Sequence, residues 1–136
     1  MSYQPTPPSP QDAVVGLIDG HQRNLGARFH SEHQTSGDTV GRFTNVAGAT
    51  VEVVALAKFS RDINGDRQRS VAVGAAAKCF GFGCATPDSG ESFTGPVPLD
   101  DNKWDTAAGV MPLLKTAAEW AQAHAEKCRA QPYTGR

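Results

Sequence analysis

The sequence is poor in aromatic residues and in cysteine, and it has no long apolar run. Of its 136 residues, 7% are Phe, Trp or Tyr and three are Cys. No window approaches the roughly 18 apolar residues that a membrane-spanning helix needs, so no such helix is expected. The first ten residues are polar and proline-rich and contain no apolar secretory core, so a cytoplasmic location is expected.

The sequence also lacks an excess of either charge. It has 13 Lys and Arg against 14 Asp and Glu, which gives a formal net charge of −1. A strongly basic field drives non-specific binding to nucleic acids, and this chain has none. The balance disfavours such binding overall but leaves room for a local basic patch.

What is present is typical of one small folded domain. Hydrophobic residues make up 39% of the chain and charged residues 20%. The 14 Gly and 9 Pro indicate many loops, and with so few aromatics the core is expected to be thin. Such a domain gains much from a covalent or metal cross-link.

Two stretches give the clearest local signal, a β-hairpin formed by strands 50–60 and 69–78. Residues 51, 53, 55, 57 and 59 are apolar and alternate along one face of the first strand. Asn64 and Gly65 between the strands are typical of a tight hairpin turn. Residues 40–46 are a candidate third strand, and the polar residues 30–39 are expected to form a loop.

Helical spacing flanks this hairpin on both sides. Ser9 is a candidate N-cap and Pro10 a first helical residue for a helix over 10–25. A second helix is expected to begin near 105 or 112 and to end at 129, after a loop over 85–103. The expected fold class is α+β, a small antiparallel sheet with both helices mainly on one face. We expect a flexible leader over 1–9, one domain over 10–130 and a flexible tail over 131–136.

All three cysteines and one histidine form a pattern that is typical of a zinc site. Cys79 and Cys84 bracket Phe-Gly-Phe-Gly directly after the second hairpin strand, and the glycines permit the tight loop that a metal site needs. Residues 79–84 are called the knuckle below. His124 and Cys128 are four residues apart, so on a helix they project from one face. Together they complete the four ligands of a structural Cys₃His zinc site, which would tether the C-terminal helix to the sheet.

Two other interpretations of the thiols remain open. Free cysteines are often simply buried, and Cys79 and Cys84 could instead form a redox disulfide. The 39 residues between Cys84 and His124 are more than a compact zinc finger has.

The segment 119–130 (EWAQAHAEKCRA), downstream of the cysteine pair, resembles the ending of small uncharacterised actinobacterial proteins. In those proteins a Trp-Ala-x-x-His-Ala-x-x-Cys helix accompanies two cysteines. The resemblance covers the C-terminal half and implies that Cys79, Cys84, His124 and Cys128 match the presumed metal ligands. It implies little about activity, and the Cys-x₄-Cys spacing here departs from the commoner Cys-x-x-Cys.

The function predicted from these observations is that of a non-enzymatic binding or accessory protein whose zinc is structural. No nucleophile motif, zinc-protease motif or phosphate-binding loop is present. A protein partner is favoured. The alternative is DNA or another nucleic acid, bound by the knuckle and by basic residues around the hairpin turn, namely Lys58, Arg61, Arg67 and Arg69. A third alternative is a redox-responsive switch that releases zinc on oxidation.

Three further histidines and two phenylalanines are candidates for a metal site or a binding surface. His21, His30 and His33 are expected to be exposed to solvent, without a second metal site. Phe80 and Phe82 lie inside the knuckle, where covering the core is favoured over stacking on bases or on a partner.

Overall fold

A computed structural model describes residues 9–23, 33–61, 69–98 and 102–132. In these ranges the chain is α+β, with one antiparallel sheet, an N-terminal helix and helices near the C-terminus, as predicted. The elements are α1 (Pro10–Arg23), β1 (His33–Thr44), β2 (Thr50–Arg61), β3 (Arg69–Cys79), β4 (Ser92–Phe93), β5 (Val97–Pro98), α2 (Lys103–Ala108) and α3 (Met111–Lys127).

The centre of the sheet is the predicted hairpin of β2 and β3. Its register pairs Val51 with Cys79 at one end and Arg61 with Arg69 at the other. Alternate residues of both strands point to the same face, where they are buried: Val51, Val53, Ala55, Ala57 and Phe59 of β2, with Val71, Val73, Ala75, Ala77 and Cys79 of β3. Four of these ten side chains are alanines, so this face of the hairpin offers small side chains to the helices.

The third strand is longer than predicted. β1 begins at His33 and pairs with β2 along its whole length, so the expected loop over 30–39 is wrong for residues 33–39. These residues are polar because β1 is the edge strand of the described sheet, where side chains stay partly exposed. A register shift between Thr39 and Gly41 brings Phe43 onto the inner face, beside Val51.

The other edge of the hairpin is covered by residues 87–98, part of the predicted loop over 85–103. β4 and β5 are two residues each and both pair with β3. Asp88 bridges Lys78, and Cys79 N–H donates to the Pro87 carbonyl at 2.7 Å. This segment follows the strand as far as the residue that begins the knuckle, so it fixes the end of β3.

Both flanking helical regions pack on the inner face of the sheet. α1 contributes Val14, Val15 and Ile18 to the hydrophobic cluster, and it is joined to α2 by an ion pair of 2.7 Å between Asp19 and Lys103. The predicted C-terminal helix is two helices, α2 and α3, and it ends at Lys127 instead of 129. α3 buries a stripe of Leu114, Ala117, Ala121 and Ala125.

The two ends of the described chain make specific contacts. Ser9 caps α1 as predicted, since its hydroxyl accepts from the Asp12 N–H at 3.1 Å. Residues 131 and 132, assigned to the tail in the prediction, pair with the knuckle instead: the Phe82 N–H donates to the Gln131 carbonyl and Pro132 bridges Gly81. The rest of the expected leader and tail, 1–8 and 133–136, lies outside the described residues. Within the described ranges, no helix is both long and apolar enough to span a membrane.

Candidate metal centre

The four residues predicted as metal ligands meet at one end of the sheet. One ligand atom from each of Cys79, Cys84, His124 and Cys128 lies within 4.8 Å of all the others. The Cys128 sulfur is 3.9 Å from that of Cys79 and 3.8 Å from that of Cys84, and the Cys84 sulfur is 3.4 Å from His124 Nε2. The three cysteines are free thiols and not disulfides.

The knuckle owes its shape to two glycines. Gly83 has φ of 75°, a left-handed conformation that other residues adopt only with strain. A Cβ on Gly81 would lie 2.5 Å from the Ala130 Cβ, so only glycine lets the knuckle approach the chain after α3. The Gly81 N–H donates to the Cys79 sulfur at 3.4 Å. Both glycines of the Cys-x₄-Cys segment are therefore required, as its sequence predicts.

The other two candidate ligands come from the end of α3. His124 lies in the helix, and its ring stacks on that of Trp120 with centroids 4.6 Å apart and planes 8° from parallel. Cys128 is the C-cap residue in an extended conformation, outside the helix in which it was predicted. Its N–H still donates to the His124 carbonyl at 2.7 Å, which keeps the two side chains on the same side of the helix end.

The site is closed on one side and open on the other. Cys79 is 6% exposed and belongs to the hydrophobic cluster, while Cys84, His124 and Cys128 are half-buried. These three line a cleft of about 730 Å³ between the knuckle and α3. Trp120, Phe82, Asp88, Lys127 and Arg129 also line it.

The surroundings of Cys79 and Cys128 move their pKa values in opposite directions. Burial, and then its thiol neighbours, raise the pKa of Cys79 to about 11. The pKa of Cys128 is lowered, chiefly because the Ala130 N–H donates to its sulfur and then because the Asn45 side chain does so too. A single thiolate in the group would therefore be favoured at Cys128.

One residue that shapes this end of the sheet was not found from the sequence. Asn45 follows β1, and its side-chain oxygen accepts from the N–H groups of Ala47 and Ala49 at 3.0 and 2.8 Å. Its side-chain nitrogen donates to the Ala130 carbonyl at 2.8 Å. Asn45 before Gly48 is typical of an ordinary turn, and its contact with residue 130, 85 positions away, leaves no local signal.

The structure places the proposed basic patch away from the cysteines. Lys58 is exposed, with its amine 5.8 Å from the centre of the Phe93 ring, and the backbones of Arg61 and Arg69 pair at the far end of the hairpin. Ten residues of strand, roughly 33 Å, separate that pair from Val51 and Cys79. The knuckle and the basic end of the hairpin therefore lie at opposite ends of β2 and β3 and do not form one binding surface, as the nucleic-acid alternative would require. Arg67 lies outside the described residues.

The knuckle phenylalanines do not cover the core. Phe80 is 53% exposed and Phe82 is 69% exposed, so the expectation that they cap the core is wrong. Val46, in the turn after β1, is also exposed. The side chains of His21 and His33, and all of His30, lie outside what the structure describes.

The four side chains have the chemistry of a metal site. Three thiols and one imidazole within bonding distance of a common centre are compatible with a bound metal ion. The group offers four ligands and so can fill a tetrahedral shell without solvent. Comparison of the chain with known protein families, curated proteins and solved structures finds no match, so the resemblance of its C-terminal half stays a prediction and the geometry alone bears on function.

Proposed function

We propose that this protein is a non-enzymatic binding or accessory domain stabilised by one structural zinc ion on Cys79, Cys84, His124 and Cys128. The single observation that supports it is the convergence of these four ligand atoms within 4.8 Å. They come from two parts of the chain, the end of β3 with its knuckle and the end of α3.

The distances within the group are compatible with a tetrahedral zinc site. In a regular tetrahedron two ligand atoms lie about 1.63 bond lengths apart, so zinc–sulfur bonds of about 2.3 Å put sulfurs about 3.8 Å apart. A zinc–nitrogen bond of about 2.0 to 2.1 Å gives a sulfur–nitrogen distance of about 3.6 Å. Three of the six distances in the group are 3.8 and 3.9 Å between sulfurs and 3.4 Å from sulfur to nitrogen, and all six are within 4.8 Å. A disulfide would need sulfurs near 2.05 Å.

A structural role is favoured over a catalytic one because the four protein ligands leave no open coordination position. The ion would join β3 to α3, whose alanine-rich contact with the sheet buries little apolar area per residue. In small zinc domains, binding of the metal supplies on the order of 10 kcal/mol of folding free energy.

Native mass spectrometry tests the proposal directly. Protein purified under reducing conditions with zinc should carry one zinc ion per chain, and the Cys128→Ser variant should carry none under the same conditions. The matched control is Glu126→Ser, an exposed change two residues earlier in α3 that should retain the ion. A wild-type protein that stays metal-free in the presence of zinc would refute the proposal.

The surface beside the centre supports a protein partner. Phe80 and Phe82 project from the knuckle, and exposed aromatic residues are enriched in protein interfaces. With a cognate partner protein, a Phe80→Ser/Phe82→Ser double variant should lose binding while it keeps its zinc. Unchanged binding by this variant would exclude the knuckle as the contact surface.

Nucleic-acid binding is the second proposal, favoured by the position of Arg61 directly opposite Arg69 at the far end of the hairpin. A contact made there would not include the knuckle. Binding to duplex DNA should then weaken steeply with salt, by about 0.9 in log–log slope for each phosphate contacted. The Arg61→Gln/Arg69→Gln variant should bind DNA more weakly, and its affinity should fall less steeply with salt. An affinity for DNA that does not depend on salt would count against this second proposal.

A further inference from the structure

Asn45 is the one buried polar side chain in the described part of the protein, with 5% of its surface exposed. It belongs to the turn between β1 and β2 and not to either segment that supplies the candidate ligands. Its side chain nevertheless reaches the chain just after Cys128, through the hydrogen bond of 2.8 Å to the Ala130 carbonyl. A buried amide needs hydrogen-bond partners, but this need alone does not explain why the Ala130 carbonyl is one of them.

We propose that Asn45 is a positioning residue for the metal centre, which holds the Cys128 sulfur where the ion needs it. The inference rests on the proposed zinc site. Asn45 itself bonds no metal in this proposal. It acts through the backbone of Ala130, two residues after Cys128, whose carbonyl accepts from the Asn45 side chain at 2.8 Å.

The need for this support follows from where Cys128 lies. Cys128 keeps the last helical hydrogen bond, from its N–H to the His124 carbonyl, but its own backbone is extended and the chain leaves the helix there. The segment after it is fixed from two sides. Asn45 holds Ala130 from the β1–β2 turn, and Phe82 donates from the knuckle to the Gln131 carbonyl at 2.7 Å. Without the bond from Asn45, only the knuckle would fix the segment after Cys128, and the bond to His124 would fix Cys128 from the helix side alone.

The chemistry also explains why an asparagine occupies this position. The oxygen accepts from two N–H groups of the turn, and the nitrogen donates to the Ala130 carbonyl. An aspartate has the same shape and keeps the acceptor, but it offers no donor when ionised and would face the Ala130 carbonyl with a negative charge. Asn45→Asp therefore keeps the turn contacts, removes the hydrogen bond to Ala130 and adds a negative charge beside it, whereas Asn45→Ser removes that bond without adding a charge.

The experiment compares zinc affinity, measured by competition with a chelator, in wild type, Asn45→Asp, Asn45→Ser and Gly48→Ala. Gly48 has φ of 94°, so alanine there strains the same turn without approaching the candidate ligands. Changes to residues that orient metal ligands cost about 10- to 100-fold in affinity, and we expect that range for both Asn45 variants. Gly48→Ala should lower the melting temperature yet bind zinc within about threefold of wild type, a margin well below that cost.

Cobalt(II) substitution supplies the readout that a purely structural role would not move. The thiolate-to-cobalt absorption band should change in Asn45→Asp and stay unchanged in Gly48→Ala. If Asn45→Asp does not fold, Asn45→Ser decides the question alone, because its hydroxyl still serves the turn but cannot reach Ala130. Wild-type affinity and spectrum in the Asn45 variants, or an equal loss in Gly48→Ala, would overturn the inference. Failure of the wild type to bind zinc would instead refute the proposed function.

Discussion

Free zinc should set the melting temperature of this protein. If one ion binds the folded chain at Cys79, Cys84, His124 and Cys128 and does not bind the unfolded chain, it stabilises the fold by RT ln(1 + [Zn]/Kd). Above the Kd, each tenfold rise in free zinc therefore adds about 1.4 kcal/mol. The structure gives one such site in its described residues, so the increment corresponds to one ion.

The increment converts to a temperature through the size of the chain. For 136 residues, an unfolding entropy of about 2.1 cal/mol/K per residue gives roughly 0.29 kcal/mol/K in total. One kcal/mol then shifts the melting temperature by about 3.5 °C, and each decade of free zinc by about 5 °C. Zinc held by the cysteines of the unfolded chain would lower this slope.

The assay is thermal unfolding followed by circular dichroism in a series of zinc buffers, with a phosphine reductant to keep the thiols reduced. The wild type should show a straight line of melting temperature against the logarithm of free zinc, and Cys128→Ser should show none. Glu126→Ser should keep the wild-type slope, since this side chain is exposed and is not one of the candidate ligands. A flat line for the wild type, or parallel lines for wild type and Cys128→Ser, would refute the reasoning.

Three further predictions concern the same centre. Metal-free protein treated with mild peroxide should form a disulfide between Cys84 and Cys128 in preference to one between Cys79 and Cys84. The reason is that Cys84 and Cys128 both line the open cleft, with their sulfurs 3.8 Å apart. Peptide mapping identifies the pair, and a Cys79–Cys84 product would contradict the geometry. Gly81→Ala should destabilise the zinc-bound protein by about 1 to 3 kcal/mol in denaturant unfolding, since its Cβ would meet another at 2.5 Å, whereas Gly95→Ala, with open space around it, should be nearly neutral. Zinc affinity should rise with pH by at least about tenfold per unit near neutrality, because the Cys79 pKa is raised to about 11 and its proton must leave when metal binds. A chelator titration that gives a pH-independent Kd would argue against thiolate ligation.

The hairpin and the candidate ligands were accessible from the sequence because both leave local signals. Alternating apolar residues give the strand faces, and the count of three cysteines with one suitably spaced histidine gives the ligand set. The knuckle glycines were also recognisable, since a tight loop between two cysteines constrains its backbone in a known way.

Features that depend on contacts between residues distant in the chain could not be predicted from the sequence. The first part of β1, residues 33–39, reads as a polar loop because β1 is an edge strand, and its partner β2 supplies the apolar pattern that it lacks. Phe80 and Phe82 are apolar but exposed, which hydropathy alone cannot tell from burial. Asn45 contributes through a bond to Ala130, and no spacing rule connects those positions.

The uneven burial of the four candidate ligands has a consequence for how an ion would leave. A small chelator entering the cleft would meet Cys84, His124 and Cys128 directly and replace these bonds one at a time, with no change in the core. The bond to Cys79 is different, because that sulfur is packed inside the hydrophobic cluster and is shielded from an incoming competitor. The last step of zinc loss would thus wait for the sheet and α3 to part, so the lifetime of the complex would report the rate at which the folded domain opens.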